Sequence, residues 1–113
     1  MNSKRHAVIL VTAGTAAEAE RIRDSLLEAR KAACVSIVKG IDSAYWWQGK
    51  LESANEQLLI VKTTISQIDV VVSLVKQNHS YSVPEIIALP VIGGNPDYLA
   101  WIDSEVPGES GGT

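Results

Sequence analysis

The chain has 113 residues, 46% of them hydrophobic and 20% charged, with ten Lys and Arg against 13 Asp and Glu for a formal net charge of −3. That composition suits one globular domain with a modest core. It excludes a basic nucleic-acid surface, which would need clustered Lys and Arg, and any attraction to an anionic membrane.

Ala7 to Val11 is a short, continuous apolar run, as in a strand buried on both faces. It is too short and too β-branched for a signal peptide, although basic residues precede it. No uncharged run reaches the ~18–20 residues of a membrane-spanning helix. Thr15 with Glu18 three residues on predicts a capping box. The helix that follows carries Ala19, Ile22, Leu26 and Leu27 toward one side and runs to about Lys31 or Ala32. A second strand begins near Cys34 and is interrupted at Lys39-Gly40, where a glycine inside a strand pattern predicts a bulge. It then runs through Ile41 to Trp47, ahead of the turn signal Gln48-Gly49. A third strand returns through a polar stretch, Glu52 to Glu56, into the apolar run Leu58 to Val61 and then Lys62, Thr63 and Thr64.

Ser66 and Asp69 predict the next helix start, and Ile68, Val71, Val72 and Val75 form its apolar stripe. It stops near Asn78. His79 to Pro84 reads as a loop, since the residue before a proline is biased away from helix. Glu85 to Ile92 is a fourth strand, and Pro90 marks it as an edge strand or a bulge. Asn95 caps a last helix with Pro96 at its first position. Tyr98, Leu99, Trp101 and Ile102 supply its apolar side. One domain over residues 1–105 and a flexible tail over 106–113 follow.

The order βαββαβ with a terminal helix fits an α+β, ferredoxin-like sandwich with a long hairpin between its second and third strands. Arms of roughly 12–15 residues would reach about 40–50 Å, against a radius of gyration of about 13 Å for a compact chain of this length. The hairpin should therefore project. Adjacent residues Trp46 and Trp47 point to opposite faces, so the tip needs cover on both sides. The helices cover one sheet face, and the other, without a helix, is equally apolar. Both features call for an oligomer, with Tyr45, Trp46, Trp47 and Trp101 as its anchors.

His79, Tyr81 and Glu85 are the most polar cluster in the chain, on a loop entering a strand. They suit either a divalent cation or the polar group of a small metabolite, or a hydrogen-bonded loop packed at a subunit boundary. Cys34 is a soft-metal ligand by type, and otherwise a small core residue. Lys62, next to Thr63, ends an apolar strand, where a charge needs a partner. Its expected partner is Glu85, in an intersubunit cleft shared with Tyr81 and Pro84. His6 reads as solvent-exposed. A lone cysteine forms no internal disulfide and fits a reducing cytoplasm. No enzyme motif is present, so a non-enzymatic role is expected.

The strings KAACVS (Lys31 to Ser36), SAYWWQGKLE (Ser43 to Glu52), LIVKTT (Leu59 to Thr64), HSYSVPEIIALPV (His79 to Val91) and DYLAWI (Asp97 to Ile102) resemble the CutA family of divalent-cation tolerance proteins. The resemblance runs from about residue 7 to 103. It implies a ferredoxin-like protomer in a tight homotrimer whose long hairpins complete intersubunit sheets, with a topology similar to the PII signalling proteins. It also implies a role in tolerance of copper or similar ions, and so copper or zinc as a bound cation. The alternative it implies is a PII-like sensor or adaptor that binds a small metabolite and signals to an unknown protein partner. The chain departs from the family at Lys39 and Ser80, where Pro is usual. Relatives proposed to bind copper use a Cys and two adjacent His at positions that here hold Val11, Asn78 and His79. One of those three ligands remains.

Overall fold

The computed structural model describes residues 5–108. Along the chain lie β1 (His6–Ala13), α1 (Ala16–Glu28), β2 (Cys34–Trp47), β3 (Lys50–Thr64), a 3-10 turn (Ile65–Gln67), α2 (Ile68–Gln77), β4 (Ile86–Val91) and α3 (Pro96–Glu105). The four strands form one sheet in the order β2-β3-β1-β4, with every neighbouring pair antiparallel. This is the ferredoxin-like arrangement that the element order predicts.

Local chemistry sets most of the boundaries. Thr15 caps α1, its hydroxyl accepting from the Glu18 amide. The helix ends before Lys31 because Arg30 takes a left-handed conformation, φ 59°, which a helix cannot continue through. Gln48 and Gly49 both have positive φ, 52° and 80°, as a two-residue hairpin turn requires. Gly40, φ 73°, sits in the register shift between Val38 and Ile41, the bulge expected there. Asn95 caps α3 and Pro96 opens it. The expected start of α2 differs. Ser66 caps nothing: its hydroxyl meets that of Thr64 at 3.1 Å, and the 3-10 turn leads into the helix instead.

Alternation along each strand divides the sheet into two faces. Ile9, Val11, Leu59 and Val61 face Ala19, Ile22 and Leu26 of α1 and Val71 and Val75 of α2, and all are buried. Val8, Leu10, Leu58 and Ile60 on the other face are half-buried, and Ile87 and Leu89 are exposed. That second face is not free of helix, contrary to the sequence expectation. α3 covers its end, with Asp103 3.0 Å from the His6 ring nitrogen Nε2 and Tyr98 against Cys34. His6 is buried for this reason, not solvent-exposed. Val106 is buried too, and the Pro107 carbonyl accepts from Gln67, so the chain stays packed past α3. The rest of the expected tail, 109–113, lies outside the described residues.

The hairpin arms are 14 and 15 residues long. The β1–β3 pairing stops at Ala13↔Gln57, so the hairpin extends past the sheet for residues 50–56 of β3. The molecule measures 45 × 25 × 23 Å, with a radius of gyration of 14.8 Å. The projection is real, and Trp46 at its tip is 74% exposed.

Candidate functional site: a cleft beside the hairpin

Where β1 ends, the segment between α2 and β4 folds back over the sheet end. Its anchor is Glu18. The sequence pattern predicts that this carboxylate returns to its own helix cap. It reaches further instead: Oε1 accepts from the Gly14 amide at 3.2 Å, and Oε2 accepts from the Ser80 amide at 2.5 Å. The nearest cation is Arg21 at 3.8 Å. Burial pushes the carboxyl up, but the Ser80 and Gly14 hydrogen bonds outweigh it and hold Glu18 below the ordinary value of 4.5.

The His79 side chain is fully buried. Its Nε2 donates to the Thr12 carbonyl at 2.6 Å, and its Nδ1 accepts from the Tyr81 amide at 3.1 Å. A carbonyl only accepts and an amide only donates, so the ring is the neutral Nε2–H tautomer and both nitrogens are taken. Metal ligation by His79 would require one of these bonds to break. The Tyr81 ring packs 4.8 Å from that of His79 and lies over Gly14. Its hydroxyl donates to Glu56 Oε2 at 2.8 Å. Burial first, then the Glu56 hydrogen bond and charge, push the Tyr81 phenol up to about 12.

Beyond Tyr81 an open cleft of about 880 Å³ runs between the segment Tyr81 to Glu85 and the β2 arm from Asp42 to Trp47. Asp42, Glu56 and Glu85 line it, with Tyr45, Trp47 and Tyr81 as aromatic walls. Pro84 is part of the same wall. Among the described residues no Lys, Arg or His lines it.

The remaining sequence candidates are elsewhere. Lys62 Nζ donates to Ser36 Oγ at 2.7 Å and lies 3.6 Å from Cys34 Sγ. Within one chain it does not pair with Glu85; the expected pair is one between subunits. The strand register explains why. Lys62 is level with Val8 of β1, whereas His79 hooks onto Thr12, four residues or about 13 Å further along the strand. Cys34 and Lys62 therefore belong to the α3 end of the sheet, and Tyr81 and Glu85 to the hairpin end. Among the described residues no three His, Cys, Asp or Glu side chains gather as a cation site. Cys34, His79 and Glu85 do not converge. Thr63 is buried and its hydroxyl donates to the Lys31 carbonyl at 2.6 Å, which ties strand to loop. Tyr45, Trp46, Trp47 and Trp101 are all substantially exposed.

Sequence reasoning passed over Glu56, treating it as part of the solvated arm. It is only 4% exposed. The available signal was its spacing of two from Leu58 and four from Ile60, which puts it on their face of the strand.

The chain matches the family model for the CutA1 divalent ion tolerance protein over residues 7–105. It is 47% identical over 95 residues to the chloroplastic protein CutA 1 of Oryza sativa, covering 84% of this chain and 54% of that one. The divalent-cation tolerance protein CutA of Pectobacterium atrosepticum is 43% identical over 99 residues, covering 88% and 90%. The chain thus spans about half the length of the rice relative and nearly all of the bacterial one. Among solved structures, the periplasmic divalent cation tolerance protein CutA from Archaeoglobus fulgidus superposes with a TM-score of 0.87 at 46% identity, covering 89% of this chain and 98% of that chain. CutA1 from Oryza sativa superposes at 0.88 and 42% identity, covering 93% and 97%. The chain belongs to the CutA1 family of divalent ion tolerance proteins.

Proposed function

We propose that this chain is a non-enzymatic divalent-cation tolerance protein that works as a homotrimer and binds its ligand in the cleft beside the hairpin. The observation that carries the reading is the charge of that cleft. Three carboxylates line it, and among the described residues no basic side chain does. A second and a third copy, packed on the open sheet face and the exposed tip, would bring further donors to it. The donors in hand are oxygens, which favour harder divalent ions over copper. Copper or zinc binding at His79 would compete with the Thr12 and Tyr81 hydrogen bonds. A cytoplasmic, reducing setting is supported by the single Cys34. No helix among the described residues is long and apolar enough to cross a membrane.

One observation favours a second reading, a PII-like sensor or adaptor that takes a small metabolite and signals to a protein partner. A cleft of about 880 Å³ with aromatic walls has the size and lining of a small-molecule site. Calorimetric titration with copper(II), zinc(II), magnesium and a metabolite panel separates the two. Saturable metal binding weakened in Glu85→Ala supports cation binding. Metal-independent binding of an organic ligand supports the sensor. Turnover of any compound in the panel would overturn the non-enzymatic reading.

A further inference from the structure

Among the described residues the cleft has no basic lining, and Lys62 has no acidic partner. Lys62 is half-buried, yet its ammonium meets only neutral groups, Ser36 Oγ at 2.7 Å and Cys34 Sγ at 3.6 Å. An ammonium has three donors, so at least one is unspent. Alternation along β3 puts Lys62 on the same sheet face as Leu58 and Ile60, and the register adds Val8, Leu10, Ile87 and Leu89 to that face. Half-buried or exposed in one chain, these apolar residues are suited to cover by another surface. Such cover would take the Lys62 ammonium further out of water, which is strongly unfavourable unless an anion meets it. At the hairpin end, Glu85 is exposed and its carboxylate forms no ion pair among the described residues.

The two charges lie toward opposite edges of the sheet. Lys62 is bonded to Ser36 of β2, one outer strand of the order β2-β3-β1-β4, and Glu85 directly precedes β4, the other. A second copy that sets its β2 side against the β4 side of the first brings these unlike edges together. Such a contact is head-to-tail: it leaves one edge of each copy for a further neighbour, and so it closes as a ring. We propose that in the homotrimer the partner subunit's Lys62 enters the cleft beside the hairpin and pairs with Glu85, so that each cleft is built by two copies, one giving the carboxylates and the next the ammonium. The inference rests on the homotrimer reading and names the residue by which one copy completes the cleft of another.

The test is sedimentation velocity of the full chain and its charge variants over a range of concentrations, with circular dichroism to confirm folding. Lys62→Glu and Glu85→Lys each set like charges together and should weaken assembly about tenfold or more. Lys76→Glu, the same change of charge on an exposed position of α2, should leave it unchanged. Lys62→Glu combined with Glu85→Lys restores an opposite pair between copies and should recover most of the assembly. Should a reversal unfold the chain, the milder pair Lys62→Gln and Glu85→Gln carries the same test. Each should weaken assembly, and the two together no more than either alone, because both remove one interaction. A trimeric original chain in which the double reversal assembles no better than the single variants, or in which the two Gln losses add, overturns the pair and leaves the trimer standing. A monomeric original chain overturns the trimer reading itself, and the inference with it.

Discussion

The Tyr81 hydroxyl donates to the Glu56 carboxylate at 2.8 Å across 25 residues of sequence, and this bond fastens the segment before β4 to the hairpin. Tyr81→Phe removes the donor and leaves a buried anion with no partner. A loss of about 1–3 kcal/mol in unfolding free energy is expected. Glu56→Gln should cost less, because the amide oxygen still accepts. Chemical denaturation of both variants checks the order.

The same bond makes a prediction at high pH. With the Tyr81 phenol held near 12 in the folded chain and near 10 when unfolded, the unfolded state loses its proton first. Stability should be fully present below pH 10 and fall between 10 and 12. Tyr81→Phe should flatten that limb. Ultraviolet titration of the folded protein should show one tyrosine ionising about two units later than a free phenol.

Glu18 predicts the opposite limb. Its folded value lies below 4.5, so its contribution is present above the unfolded value and lost as pH falls through the folded one. Glu18→Gln should lose about 1–3 kcal/mol at neutral pH, through weakened bonds to Gly14 and Ser80. Its stability should also depend less on pH in the acid range. Thermal melts of both proteins across that range decide it.

Gly14 is a packing constraint. A β-carbon there would lie 3.1 Å from the Tyr81 hydroxyl oxygen, so Gly14→Ala should push the ring off Glu56. About 1–3 kcal/mol of destabilisation is expected. Combined with Tyr81→Phe the two losses should be less than additive, since both break one contact.

Much of the fold was legible because it is written in local chemistry. Gln48-Gly49, the Gly40 bulge, the Thr15 cap and the Asn95-Pro96 start each concern a few adjacent residues, and each stands as read. The hairpin's projection followed from its length alone. The site was less legible, because its bonds join distant positions. Glu18 binds Ser80 across 62 residues, and the spacing in sequence pointed only to its own helix cap. Lys62 and Glu85 look like partners by charge, but within one chain the strand register separates them and Lys62 bonds to Ser36, so their pairing would have to join two subunits. Alternation puts Glu56 on the face of Leu58 and Ile60, but its bond to Tyr81 joins positions 25 residues apart, which periodicity does not encode. The loop did announce itself through His79, Tyr81 and Glu85, although the first of these turned out to have both ring nitrogens engaged.

Trp46, Trp47 and Ile87 are exposed, and Leu10 and Ile60 only half-buried, on the surfaces the proposed trimer would cover. Everything said of the ligand depends on that assembly, and sedimentation velocity at micromolar concentration is the decisive experiment. A species of three times the 12.2 kDa chain mass is expected, shifted toward smaller species in Trp47→Ala. A stable monomer, or a Trp47→Ala variant that stays fully trimeric and equally resistant to heat, would contradict it.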